Sequence, residues 1–106
     1  MLTQDVAIET VRNYVRNIET HGFQLHTVIL FGSFAKGTQH KWSDIDVALV
    51  ADEFTGFTFD DKKLFPYAGI KEPYVRIEVK TYPTDYFNRG DDPFIEEIIR
   101  TGIKII

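Results

Sequence analysis

The chain has no cysteine among its 106 residues. Disulfide frameworks and cysteine-ligated zinc are thereby excluded, and a reducing compartment is compatible with the composition. Basic charge is not in excess either. Sixteen Asp and Glu stand against twelve Lys and Arg, a formal net charge of −4. General nucleic-acid binders usually carry a basic surface, so that class is set aside. No apolar run approaches the length of a membrane span. The start, Met1-Leu2-Thr3-Gln4-Asp5, has neither the basic nor the apolar segment of a secretory signal. The expectation is a soluble, cytoplasmic protein without membrane association. No repeat, linker or low-complexity stretch divides it. With 43% hydrophobic and 14% aromatic residues there is enough apolar surface for one compact core, and the length leaves no room for a second. One domain over residues 1–106 is expected.

Periodicity places the elements. Residues 3 to 21 read as a helix with Thr3 as its cap and Val6, Ala7, Val11, Tyr14, Val15 and Ile18 at helical spacing, ended by Gly22. Leu25 to Phe31 resembles a buried central strand. Ser33 to Gly37 is expected as a turn or one short helical turn. A second strand runs from Asp44 to Ala51, with Ile45, Val47 and Leu49 on its core face. Asp52 to Lys71 reads as an irregular connection with a short helical piece near Asp60 to Phe65. Tyr74 to Tyr82 alternates, Val75, Ile77 and Val79 on one face and Arg76, Glu78 and Lys80 on the other. A closing helix starts at the Asp92 cap and Pro93, carries Phe94, Ile95, Ile98 and Ile99 as its apolar stripe, and stops at Gly102. The tail from Ile103 to Ile106 can add a short strand. The fold class is α+β, a small mixed sheet of three or four strands with two main helices.

The chemistry lies in Phe31-Gly32-Ser33-Phe34-Ala35-Lys36-Gly37, followed after a polar stretch by Ser43-Asp44-Ile45-Asp46. A glycine turn offers backbone N–H groups to phosphate oxygens at close approach. Successive strand side chains point to opposite faces, so Asp44 and Asp46 share one face about 6–7 Å apart. Two such acids can hold one or two divalent ions. If the strands carrying Asp46 and Glu78 pair with their apolar sides on one core, Glu78 faces the same way. It can then ligate a second ion or take a proton from an attacking hydroxyl. Lys36, or Arg76, would add positive charge for phosphates. Phosphoryl and nucleotidyl transfer ask mainly for such positioning and neutralisation.

Gly32, Ser33, Asp44 and Asp46 in the spacing Gly-Ser-x10-Asp-x-Asp resemble the signature of the DNA polymerase beta-like nucleotidyltransferase superfamily. The short chain and the Ser43-Asp44-Ile45-Asp46 form are most similar to its minimal nucleotidyltransferases. The resemblance implies the nucleotidyltransferase fold and transfer of a nucleoside monophosphate, AMP from ATP, to a hydroxyl acceptor with release of pyrophosphate. It implies two Mg²⁺ ions, with Mn²⁺ as a substitute, held by Asp44, Asp46 and Glu78, and nucleotide contacts from Gly32, Ser33, Lys36 and Ser43. Minimal members often act with a helical HEPN-type protein in toxin–antitoxin pairs, where the transferase can be the antitoxin and the acceptor a protein hydroxyl. The alternative is a binding module that neutralises its partner without chemistry, or a metal-storage domain without turnover.

Other residues read as structural. His21, His26 and His40 lack ligand spacing. Trp42 is expected to pack over the turn rather than stack on a base, and the aromatics from Phe54 to Tyr67 to cover the core.

Overall fold

The computed structural model describes residues 2–66 and 76–106. Helix α1, Gln4–Thr20, opens with the Thr3 side chain accepting a hydrogen bond from the Val6 N–H, as a cap requires. Its stripe of Ala7, Val11, Tyr14, Val15 and Ile18 is buried. It ends at His21 and Gly22, whose N–H groups donate to the carbonyls of Ile18 and Glu19. Strand β1 is Thr27–Phe31, helix α2 Ser33–Lys36 and strand β2 Ile45–Ala51. Two short pieces follow, helix α3 at Thr58–Asp61 and a single 3₁₀ turn at Lys62–Leu64. Strand β3, Ile77–Pro83, then leads into helix α4, Thr84–Asn88. Helix α5, Pro93–Thr101, and strand β4, Ile103–Lys104, complete the order.

The sheet is mixed, in the order β3-β2-β1-β4. β1 runs antiparallel to β2 and to β4, while β2 and β3 are parallel. One face meets α1. Val28 and Leu30 of β1, Ile45, Val47 and Leu49 of β2, and Ile77 and Val79 of β3 join the α1 stripe in one cluster. The alternation expected for β2 and β3 is thus present, although Tyr74 and Val75 at the expected start of β3 lie outside the described residues. On the other face Ile29, Ala48 and Val50 pack under Phe87 of α4 and Ile95 and Ile98 of α5. That layer is why β2 is buried on both sides beyond Asp46.

Several expectations change. The closing stripe is narrower: Ile95 and Ile98 are buried, but Phe94 and Ile99 are exposed. Helix α4 adds an element that periodicity does not reveal, because five residues are too few to establish a period. Phe54 and Phe65 do cover the core, packed with Phe23 at centroid distances of 5.1 and 6.0 Å. Phe57 and Phe59 instead face solvent, and Tyr67 lies outside the described residues. Trp42 does not pack over the turn: it is 77% exposed, with the Lys41 ammonium 5.1 Å from its ring.

Asp61 is the polar lock of the irregular connection. Buried at 2% exposure, it accepts hydrogen bonds from the Thr55 N–H and hydroxyl at 2.9 Å, the Gly56 N–H at 3.0 Å and the Thr81 hydroxyl at 2.6 Å. Burial pushes its carboxyl up, but the bonds from Thr81, Thr55 and Gly56 outweigh it and hold the carboxyl below its ordinary range. The loop is thereby tied to β3. Asp61→Asn places an amide donor among these donors, and should cost about 2 kcal/mol at pH 7 in urea unfolding. Because the folded carboxyl is the stronger acid, its stabilisation is complete above the unfolded value of about 4 and fades as pH falls through the folded one. The difference between wild type and Asp61→Asn should therefore shrink below about pH 4.

Candidate active site

The site forms where β1 ends and β2 begins. Phe31, the last residue of β1, stands opposite Asp46, and Asp46 stands opposite Glu78 in the parallel β2–β3 register. Asp46 and Glu78 thus occupy one row of the sheet and one face, as parity requires. Asp44 precedes β2 by one residue and is exposed, Asp46 is half-buried, and Glu78 is exposed. Burial, then the charges of Asp44 and Glu78, push the Asp46 carboxyl above its ordinary range, while Lys80 pulls it back. Asp44 and Glu78 are each close enough to repel the Asp46 carboxylate.

Gly32 follows β1 with φ 75° and ψ −152°, a conformation that other residues adopt with strain. A Cβ built there would overlap the Asp46 carboxylate oxygen and lie 3.1 Å from Asp46 Cγ. Backbone therefore passes directly against an acid of the cluster. Ser33 opens α2, and Phe34 behind it is buried in the core. Gln4 of α1 fastens the same turn, its amide donating to the Phe34 carbonyl at 2.9 Å.

The loop into β2 is held by the residue just before β3. Arg76 donates from one guanidinium nitrogen to the carbonyls of Ser43 and Lys41. Ser43 is buried, and its hydroxyl accepts from the His40 N–H at 2.9 Å. Arg76 and Ser43 thus shape the approach to Asp44. Lys36, at the end of α2, lies 4.0 Å from Glu97 of α5. Of the two cations singled out in the sequence for phosphate, one holds a loop and the other faces a helix carboxylate. Lys80 enters instead. It lies two residues after Glu78 on the same face, a position that the alternation of β3 specifies.

Among the described residues, no three His, Asp or Glu groups converge into a ready cage for an ion. The donor set nonetheless suits a hard divalent cation, being made only of carboxylates. The mutual repulsion at Asp46 is what a bound cation would relieve. Mg²⁺ characteristically takes one or two carboxylates and completes its shell with water and substrate phosphate, so an open cluster is the appropriate form.

A model of the nucleotidyltransferase domain matches residues 8–105. The chain belongs to the nucleotidyltransferase family. Solved structures agree in fold. A candidate nucleotidyltransferase from Sulfolobus solfataricus is 18% identical with a TM-score of 0.66, over 95% of this chain and 80% of that one. A second neighbour is the MntA–HpeT toxin–antitoxin complex, in a variant with aspartate-to-glutamate changes at two positions two residues apart. Its matching chain is 15% identical with a TM-score of 0.53, over 90% of this chain and 71% of that one. No curated protein sequence matches at a significant level. Among the described residues, no helix of this nucleotidyltransferase is long and apolar enough to cross a membrane.

The repulsion at Asp46 gives a test that needs no substrate. Its raised pKa means that folding disfavours the ionised form, a penalty absent below the unfolded value of about 4 and full above the folded one. In metal-free buffer at pH 7, Asp46→Asn should melt at a higher temperature than wild type, and the gain should vanish toward pH 4 or below. Gly32→Ala should do the opposite, lowering the melting temperature through left-handed strain and overlap with Asp46.

Proposed function

We propose that this nucleotidyltransferase moves AMP from ATP to a hydroxyl acceptor in a reaction dependent on divalent metal, releasing pyrophosphate. One observation carries the reading: Asp46 and Glu78 stand side by side in register while Gly32 presses its backbone against Asp46. Acids and a phosphate-accepting turn then share one small site.

In this reading Asp44, Asp46 and Glu78 hold two Mg²⁺ ions, or Mn²⁺ in their place. The chemistry such ions supply is neutralisation of phosphate charge and acidification of the attacking hydroxyl. The Gly32 and Ser33 backbone lies along the triphosphate, with the Ser33 hydroxyl as a further donor. The acceptor oxygen attacks the α-phosphorus, the bond to the bridging oxygen of the pyrophosphate breaks, and a carboxylate oxygen of Glu78 takes the hydroxyl proton. Arg76, through the carbonyls of Ser43 and Lys41, keeps the Asp44 loop in place.

The acceptor is proposed to be a side-chain hydroxyl of a helical, HEPN-type partner, with the transferase as the antitoxin of the pair. The structural likeness to a component of a toxin–antitoxin complex supports this assignment.

Labelled ATP and Mg²⁺, supplied with the purified product of a neighbouring gene, test the reading. Wild type should label the partner and release pyrophosphate. Asp46→Asn and Glu78→Gln should each lower that rate by about 100-fold or more while remaining folded. Transfer unchanged within about twofold in Asp46→Asn would remove the acid cluster from the mechanism. Neutralisation of the partner that persists in that variant without label would point to the binding module instead.

A further inference from the structure

The row of the sheet next to the acids holds Ile29 of β1, Ala48 of β2 and Lys80 of β3. Ala48 is small and fully buried beneath Phe87, Ile95 and Ile98, beside Asp46 and Glu78. Phe94, at the start of α5, lies across this part of the face. Its ring meets Phe31 edge-on at 5.9 Å and receives the Lys80 ammonium at 5.3 Å. Phe31 is itself the neighbour of Asp46. Phe94 therefore touches both the acid row, through Phe31, and the row beside it, through Lys80.

Lys80 makes no ion pair among the described residues, although it shares a face with Glu78 and its charge reaches Asp46. It rests on an exposed aromatic ring, a weak attraction in water. A polyphosphate anion outcompetes a ring for an ammonium, because charge-assisted hydrogen bonds are the stronger contact. Lys36 and Arg76 have other partners.

We infer that Lys80 is the phosphate-binding cation of this site, held on Phe94 when no nucleotide is present and transferred to the triphosphate when one enters. The inference rests on the nucleotidyl-transfer reading and adds a substrate-contacting residue to it. Leaving the ring also uncovers one face of Phe94 beside the site.

Calorimetric binding of ATP with Mg²⁺, and of tripolyphosphate with Mg²⁺, tests it. Lys80→Met keeps the apolar stem of an exposed side chain and should weaken both ligands by about tenfold or more, whereas Lys80→Arg should restore both to within about threefold. A merely structural role, in which Lys80 serves to brace Phe94, makes the opposite forecast for the ring: Phe94→Leu should then mimic Lys80→Met. The inference expects Phe94→Leu to leave tripolyphosphate binding unchanged or tighter, since the competing ring is gone. Equal binding by wild type and Lys80→Met, within about twofold, overturns the role of Lys80 and leaves nucleotidyl transfer standing. Wild type that binds neither ligand overturns both.

Discussion

Everything at the site depends on one close approach, the Gly32 backbone against the carboxylate of Asp46. β1 and β2 are antiparallel neighbours, so the residue leaving β1 must pass the residue entering β2. A side chain at position 32 would occupy the space that Asp46 fills. Without one, the backbone of the turn and the Asp46 carboxylate lie directly side by side. The turn is fixed from behind by Phe34 in the core and by Gln4 from α1, so its shape is set by the fold itself. Helix α1 in this way serves the site without lining it.

The opposing constraint is electrostatic. Asp44, Asp46 and Glu78 crowd negative charge at one end of a sheet face on which Ile29, Ala48 and Val50 are apolar and covered by α4 and α5. A stable metal-free protein would separate them, and local disagreement with stability of this kind is characteristic of functional sites. The fold tolerates it because two of the acids are exposed and Lys80 stands in the next row. Asp61 shows the contrary arrangement elsewhere: a single buried carboxylate surrounded by donors, where charge reinforces the structure.

Much of this is legible in the amino-acid order alone. Period-2 alternation in β2 and β3 determines which side of each strand meets the core, and parity then places Glu78 with Asp46. The caps at Thr3 and Asp92 mark both long helices within a residue or so. What escapes the sequence is what depends on long-range contact. Charge points to Arg76 and Lys36 as phosphate ligands, but charge does not say which carbonyl or carboxylate a long side chain will meet. Trp42 reads as a covered ring, yet the polar loop around it offers little apolar surface to cover it. Asp61 looks like one acid among several in an irregular stretch, and its role requires Thr55, Gly56 and Thr81 to be brought together.

One site, bounded by Gly32, Asp44, Asp46 and Glu78, is proposed to hold both metal and triphosphate. A crystal structure grown with Mn²⁺ and a non-hydrolysable ATP analogue tests this most directly, because manganese can be located by its anomalous scattering. Anomalous peaks are expected at the carboxylates of Asp44, Asp46 and Glu78, with the triphosphate along the Gly32–Ser33 backbone. Manganese and nucleotide bound away from these carboxylates, with the acid row empty, would contradict it.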